Sequence, residues 1–201
     1  MKALLVESPV ANIASIRGAL MEAGAEVEVS ADPESVARAE RIVLPGVGSF
    51  PAAARWLDRS GLTVALRRAA ADGAAILGVC LGHQLLFEKS EEGGSPAAGV
   101  ALLEGEVTKL TDRLPLPLVG WGRVAFAADP LFAGIASPAE FYFVHSFRAA
   151  PANASDVVAT ASYGEPYPAA VRRGRICGVQ FHPEKSSTAG LRLLSNFLER
   201  I

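Results

Sequence analysis

The chain has 201 residues, of which 50% are hydrophobic and 20% are charged, a balance that excludes disordered and fibrous classes and fits a single domain over 1–201. Its 19 basic and 21 acidic residues leave a formal net charge of −2, which offers no electrostatic footprint for nucleic acid or an anionic membrane. No apolar stretch reaches the roughly 18 residues of a membrane span, and Glu7 follows too short an apolar run for a signal peptide. A cytoplasmic location is therefore expected.

The N-terminal half alternates predicted strands with predicted helices. Apolar runs predict buried strands at 3–6, 27–29, 41–44 and 74–79. Helical spacing predicts a first helix between the N-cap Asn12 and the stop residue Gly24, and one or two further helices that end at 72–73. Another helix is expected from Leu81 to Phe87. This alternation predicts a parallel sheet covered by helices on both faces.

From about Gly99 to Ala170 the pattern changes to strand-like runs separated by glycine and proline. The runs lie at 100–110, 123–127, 140–147 and 156–161. They predict a mainly antiparallel section, either added to the sheet or packed on it. A last buried strand at 175–181 and a C-terminal helix over 191–198 follow, and the Gly-, Ser- and Pro-rich segment 91–98 is predicted to be a loop. The expected fold is three-layer α/β, with a mostly parallel central sheet, helices on both faces and this antiparallel section.

The stretch Gly78-Val79-Cys80-Leu81-Gly82-His83-Gln84 places a glycine two residues before a cysteine and another two residues after it. This is the nucleophile-elbow pattern with cysteine in place of serine, and side chains at the glycine positions would clash at such a sharp strand-to-helix turn. A cysteine there sits at a helix N-terminus, where negative charge on sulfur is favoured. A buried structural cysteine at a strand end is the alternative interpretation.

His182-Pro183-Glu184 follows the last predicted strand, at the edge of the sheet where α/β proteins place catalytic groups. Glu184 is close enough in sequence to hold one imidazole nitrogen of His182 while the other takes a proton from a nucleophile. Alone this signal is weak, because histidine and glutamate often share solvated turns. Together with Cys80, in the chain order Cys, His, Glu, it predicts a catalytic triad.

A third stretch, Leu44-Pro45-Gly46-Val47-Gly48-Ser49-Phe50, follows a predicted strand and matches no nucleotide-binding pattern. Its glycines let backbone N–H groups approach a ligand closely, so it would supply one donor of an oxyanion hole, with the N–H of Leu81 as the other. A tight turn is the plainer interpretation. Because this stretch is free to adopt more than one backbone conformation, we expect the hole to be completed only when a partner docks.

Cysteine and histidine are scarce in the chain. The cysteines are Cys80 and Cys177, and the histidines are His83, His145 and His182. The expected reducing compartment argues against a disulfide, and Cys177, beside an apolar run, is predicted to be a core residue. No spacing resembles a zinc site, and no metal or cofactor is expected.

Taken together, the elbow, the distal His-Pro-Glu and the 44–50 stretch resemble the class I (triad) glutamine amidotransferases, which are flavodoxin-like α/β proteins. Within that class, 44–50, Phe141–Phe147 and Gly178–Ser186 are similar to the glutaminase subunit of imidazole glycerol phosphate synthase, an enzyme of histidine biosynthesis. The similarity spans almost the whole chain, as far as Asn196–Leu198.

The resemblance implies that Cys80 attacks the side-chain amide of glutamine and that His182 serves as acid and then base. Glu184 would orient His182 while a γ-glutamyl thioester forms and is hydrolysed. The residues expected to contact glutamine are Gly46, Val47, Gly48, Leu81, Gln84, His145, Ser146 and Phe147. Among them His145, inside a strand-like aromatic run, is expected to have a structural or backbone-binding role instead of acting as the base.

The resemblance also implies a heterodimer with a cyclase subunit, which uses the ammonia to form imidazole glycerol phosphate and an aminoimidazole carboxamide ribotide. Asn12, Trp121 and Lys185 are the expected interface residues. The segments 7–12 and 116–122 depart from the family pattern without touching the triad.

Other functions stay open from the sequence alone. His83 stands where the family often has methionine and is more typical of anthranilate synthase glutaminases, so another acceptor for the ammonia is one alternative. The others are a non-catalytic scaffold of the same fold and, since the elbow is shared among hydrolases, a protease or esterase.

Overall fold

The computed structural model describes residues 1–8, 12–94, 97–111 and 113–201. The first half of the chain forms β1 (Lys2–Val6), α1 (Ile13–Glu22), β2 (Glu26–Ser30), α2 (Pro33–Arg38), β3 (Arg41–Leu44), α3 (Phe50–Arg59), α4 (Leu62–Ala71), β4 (Ala75–Val79) and α5 (Leu81–Leu85). The second half forms β5 (Lys89–Ser90), β6 (Ala97–Ala98), β7 (Gly105–Lys109), β8 (Leu118–Phe126), β9 (Ala139–His145), β10 (Phe147–Pro151), β11 (Val157–Tyr163), β12 (Glu165–Arg173), β13 (Ile176–Val179) and α6 (Ser187–Arg200). Short 3₁₀ turns lie at Pro130–Phe132, Ala154–Asp156 and Pro183–Lys185.

Nine strands form the central sheet in the order β2-β1-β3-β4-β13-β12-β11-β8-β9. The strands from β2 to β13 run parallel, and those from β12 to β9 continue the sheet in antiparallel pairs. A smaller sheet has the order β10-β7-β5-β6. The predicted α/β class with an antiparallel section is confirmed, and that section both extends the central sheet and forms the smaller one.

The core lies on both faces of the central sheet. Buried side chains of α1 and α6, such as Ile16 and Phe197, pack on one face. Those of α2 to α5, such as Leu57 and Leu66, pack on the other face together with Val107 of the small sheet. Helices therefore cover both faces, as predicted. None of the helices within the described ranges is long and apolar enough to cross a membrane.

The first helix begins and ends where the sequence predicts. Asn12 caps α1 by accepting the N–H of Ser15 at 3.3 Å. Gly24 follows the helix with a φ of +97°, a conformation that favours glycine. The predicted stop is therefore confirmed.

The strand predicted over 100–110 is wrong in its first half, because only Gly105–Lys109 is extended. Val100 and Leu103 are buried, but their N–H groups bond to the carbonyls of Leu85 and Leu86 at 2.7 and 3.0 Å. Apolar character there reflects burial in a turn, which periodicity alone does not separate from a strand.

The strand predicted over 140–147 is in fact two strands in different sheets. β9 ends at His145 and β10 begins at Phe147, so the chain leaves the central sheet at Ser146. The helix predicted over 81–87 ends earlier, at Leu85.

The helix α2 and the strands β5 and β12 lie outside the predictions altogether. α2 is only 6 residues long, and β12 contains Pro166 and Pro168, which argue against a strand in sequence. In the predicted loop 91–98, Ala97–Ala98 forms β6, while Ser95 and Pro96 lie outside the described residues. So do Pro9, Val10 and Ala11 of the unusual 7–12 segment, and Asp112.

Candidate active site

Cys80 lies at the sharp turn between β4 and α5, with φ 55° and ψ −109°, a strained conformation for a residue with a side chain. The glycines around it are required by close backbone approach. A Cβ at Gly82 would collide with the carbonyl oxygen of Leu44, and one at Gly78 would lie 2.6 Å from the carbonyl oxygen of Gly82. The structure therefore has the elbow geometry that the Gly-x-Cys-x-Gly spacing predicts.

The sheet brings His182 to this elbow. β13 pairs in parallel with β4, with Val179 opposite Val79, so the residues after both strands emerge at the same edge. His182 is held there by its backbone N–H, which donates to the carbonyl of Tyr142 at 2.8 Å. The hydroxyl of Ser186 also donates to the carbonyl of His182, at 2.6 Å.

Glu184 completes the arrangement. Nδ1 of His182 lies 2.8 Å from Oε1 of Glu184, and both side chains are almost completely buried. Burial by itself lowers the pKa of His182, but hydrogen bonds and charge attraction with Cys80 and Glu184 outweigh it and raise the pKa from 6.5 to about 10. The site therefore favours an imidazolium next to the sulfur of Cys80, which stabilises a thiolate.

Beside Cys80 opens a pocket of about 320 Å³, enough for a small amino acid. Seven of the eight residues predicted to contact the substrate line it: Val47, Gly48, Leu81, Gln84, His145, Ser146 and Phe147. Gly46 instead lines a neighbouring cavity of about 30 Å³, which His182 and Glu184 also line.

The pocket also contains residues that the sequence did not single out, namely Glu92, Pro117 and Val144. Glu92 places a carboxylate at the pocket from a distant loop, where it accepts the N–H of Phe50 at 2.8 Å. No local motif marks Glu92, because only the folded loop brings it to the first turn of α3.

The N–H of Leu81, predicted as an oxyanion donor, is already engaged. It donates to the carbonyl oxygen of Gly46 at 3.3 Å. Gly48, two residues on, has a φ of +93° and open space around its Cα, so the loop has room to change its backbone conformation. In this conformation the carbonyl of Gly46 accepts the Leu81 N–H that an oxyanion would need as a donor.

Comparison with known proteins identifies the family. Residues 4–201 match the family described as glutamine amidotransferase class-I. The imidazole glycerol phosphate synthase subunit HisH of Symbiobacterium thermophilum is 48% identical over 195 residues, which cover 96% of this chain and 92% of the relative. The subunit of the same name from Moorella thermoacetica is 43% identical over 198 residues, covering 98% and 94%. The chain belongs to the HisH family of class-I glutamine amidotransferases.

Solved structures agree on the fold. One described as a glutamine amidotransferase superposes with a TM-score of 0.77 at 20% identity, covering 98% of this chain and 97% of the other. A chain of the PurLQS structure from Thermotoga maritima gives a TM-score of 0.78 at 20% identity, with the same coverage. The class-I amidotransferase fold is therefore confirmed.

In this amidotransferase His145 has surroundings unlike those of His182. Its Nδ1 lies 2.8 Å from the carbonyl oxygen of Phe147, which can only accept, so Nδ1 carries the proton. Burial lowers the pKa of His145 to about 4, against a smaller opposing effect of this hydrogen bond. His145 is therefore a neutral residue of the pocket wall.

Two of the three predicted interface residues of the amidotransferase, Asn12 and Lys185, lie beside His182, and Lys185 also lines the pocket at Cys80. Trp121 is 54% exposed, and its ring packs edge-on against Tyr142, with ring centres 6.1 Å apart. Nζ of Lys185 lies 5.7 Å from the centre of the same Tyr142 ring. Asn12 and Lys185 both line the small cavity next to His182 and Glu184.

Two buried groups of the amidotransferase take no part in this geometry. Cys177 is a free, buried thiol, and burial raises its pKa to about 12, so it stays uncharged in the core. His83 is completely buried against Phe87, and both of its ring nitrogens lack a hydrogen-bond partner among the described residues. Within the described ranges no three His, Cys, Asp or Glu side chains group as metal ligands.

Proposed function

We propose that this chain hydrolyses glutamine to glutamate and ammonia as the glutaminase subunit of an imidazole glycerol phosphate synthase. The observation that carries the proposal is the 2.8 Å contact between buried His182 and Glu184 beside the strained Cys80, at a pocket of amino-acid size. The names of the curated relatives support the same assignment.

In the proposed mechanism the thiolate of Cys80 attacks the side-chain amide carbon of glutamine. His182, charged at neutral pH, gives its proton to the leaving nitrogen, and ammonia departs as the γ-glutamyl thioester forms. His182 then takes a proton from water, and the resulting hydroxide hydrolyses the thioester to glutamate and free Cys80. Glu184 holds Nδ1 of His182, so that Nε2 serves both steps.

The tetrahedral intermediates need donors for their oxyanion, and we propose that these are the N–H groups of Leu81 and Val47. The contact between the Leu81 N–H and the Gly46 carbonyl must first be broken. A rotation of the Gly46–Val47 peptide would remove that carbonyl and turn the Val47 N–H inward. Since one lost oxyanion donor costs about 10²–10³ in rate, docking of a partner that drives this rotation would activate the enzyme strongly.

The proposed partner is a cyclase subunit that consumes the ammonia to make imidazole glycerol phosphate and an aminoimidazole carboxamide ribotide. The heterodimer would form through the face that carries Asn12, Trp121 and Lys185. The exposure of Trp121 supports this, as does the position of Asn12 and Lys185 at the small cavity lined by His182 and Glu184. We further propose that residues 1–201 act as one cytoplasmic glutaminase domain.

The test is glutamine hydrolysis with and without the cyclase subunit. Cys80→Ser should lower glutamate formation about 10³-fold or more, because the nucleophile is lost. The matched control Cys177→Ala, which removes the other thiol, outside the pocket lining, should keep this activity. Full activity in Cys80→Ser would refute the proposed mechanism, and equal turnover of the isolated chain and the complex would refute activation by the partner.

A further inference from the structure

Gln180 is a completely buried polar side chain next to the nucleophile, and the mechanism above does not use it. It follows β13 directly, two residues before His182, and its backbone N–H donates to the carbonyl of Ala169 at 2.9 Å. A buried side-chain amide is retained only where its polar atoms have partners.

The orientation of the Gln180 amide is set by Gln84. Nε2 of Gln84 donates to the carbonyl of Phe147 at 2.9 Å and to Oε1 of Gln180 at 3.1 Å. Both of its protons therefore go to oxygen atoms, and Gln180 must present its oxygen to Gln84. The NH₂ group of Gln180 is consequently turned the other way, where it lies 4.0 Å from Sγ of Cys80.

Sγ of Cys80 thus has two neighbours of opposite character. The carbonyl oxygen of Val144, at 3.7 Å, accepts a hydrogen bond from a neutral S–H and repels a thiolate. The NH₂ of Gln180, at the outer limit of an N–H···S hydrogen bond, only donates, so its attraction grows when sulfur becomes negative. Loss of the thiol proton therefore weakens the Val144 contact and strengthens the Gln180 contact.

We propose that Gln180 stabilises the charged sulfur of Cys80 by donating its side-chain N–H, with Gln84 locking the amide in the donating orientation. This inference deepens the proposed function, on which it rests, by adding a neutral donor to the cationic His182 on the nucleophile. The Gln180 donor acts on the sulfur, whereas the Leu81 and Val47 N–H groups act on the oxyanion, which forms only after the sulfur has attacked.

Other ionisable groups face the same sulfur or pocket. They are His182, Glu184 and Lys185 on the loop after β13, His145 on β9 and Glu92 across the pocket. None of them is changed by a substitution at Gln180, so a change in the ionisation of Cys80 in a Gln180 variant reports on the amide.

The test measures the rate at which iodoacetamide alkylates Cys80 as a function of pH, with the modified peptide located by mass spectrometry. This reaction needs neither glutamine hydrolysis nor the cyclase, so its outcome is separate from that of the proposed function. In Gln180→Met, which keeps the size and removes the donor, the midpoint of the pH profile should rise by about one pH unit, and alkylation below that midpoint should slow about tenfold. A folded Gln180→Met with the wild-type profile would overturn the proposal.

Asn196→Leu is the matched control. The Asn196 amide is also buried, but it donates to the carbonyls of Leu131 and Ala133, away from the pocket. This variant should lose stability and keep the wild-type alkylation profile. An upward shift of equal size in Asn196→Leu would attribute the effect to general loosening and overturn the proposal.

A second measurement needs no Gln180 variant, in case Gln180→Met does not fold. Gln84 and Gln180 are the only glutamines in the chain, so their side-chain NH₂ signals are easily assigned by NMR. In the wild-type protein the chemical shift of the Gln180 NH₂ group should change with pH, with the same midpoint as the alkylation rate. In Cys80→Ser this change should be absent. A Gln180 chemical shift that does not change as Cys80 ionises would contradict donation to the sulfur.

Discussion

His182 and His83 are both buried beside the nucleophile elbow, yet their surroundings differ in one respect. His182 contacts Glu184 and Cys80, whereas His83 packs against Phe87 and offers its ring nitrogens to no described partner. The pKa of His182 is raised to about 10, whereas burial lowers that of His83 to about 3. Burial therefore does not decide which histidine becomes a charged acid, and the partners do.

The largest effect is expected from making His182 resemble His83. Glu184→Gln removes the carboxylate that orients and stabilises the imidazolium, so the kcat of the cyclase complex should fall about 10³–10⁴-fold with little change in KM. Steady-state glutamate production measures this. Glu140→Gln, on the exposed side of β9, is the matched control and should be fully active. Wild-type activity in Glu184→Gln would mean that His182 does not need the Glu184 carboxylate.

The next prediction concerns the charge of the three histidines, which NMR titration of their rings measures. At pH 7 His182 should be the only charged histidine, since it loses its proton near pH 10 while His83 and His145 gain one only near pH 3 and 4. Because the pKa of His182 is raised on folding, its favourable contribution to stability is complete below pH 6.5 and is lost as the pH rises towards 10. If the ring signals of His182 titrated near pH 6.5, the pKa of His182 would not be raised, and the predicted difference from His83 would be wrong.

The smallest effect is expected at His83, where methionine has a similar volume and no polar atoms to satisfy. His83→Met should stabilise the protein by about 1–3 kcal/mol at pH 8, the cost of burying an unpaired polar group. Because folding lowers the pKa of His83, burying its neutral ring has no pH-dependent cost above pH 6.5. Below pH 6.5 the folded protein loses stability as the pH falls towards 3. The gain from His83→Met should therefore be about 2 kcal/mol larger at pH 5 than at pH 8.

Urea unfolding at the two pH values measures this last difference. Val64→Met, at a residue that is 70% exposed, controls for adding a methionine and should change little. If His83→Met were destabilising at both pH values, the imidazole would have a favourable role that the described contacts do not reveal.

The residues of the site differ in how far the sequence predicts them. Cys80 and the His182–Glu184 pair are marked by local motifs, because steric demands at the elbow require glycines at set spacing and Glu184 acts on a residue two positions away. The pocket positions Gln84, His145 and Phe147 came from resemblance, and the structure places all three around Cys80. Gln180 lay inside a recognised motif, but the orientation of its amide depends on Gln84, 96 residues away.

Other features leave no local signal at all. The bond from Leu81 N–H to the Gly46 carbonyl depends on the orientation of one peptide, which no side chain specifies. Glu92 reaches the pocket only through the packing of its loop on α3. The break between β9 and β10 at Ser146 depends on which sheet each strand joins, because both segments are apolar and extended.

The position of β13 has a consequence for the order of events during folding. This strand lies between β4 and β12, although about half of the chain separates it from β4 in sequence. Until β13 docks beside β4, Cys80 lacks both His182, its partner in the proposed mechanism, and Gln180, its proposed donor. During synthesis on the ribosome the elbow emerges long before these partners, so the thiol acquires its reactivity only once the rest of the domain has been made and can shield it.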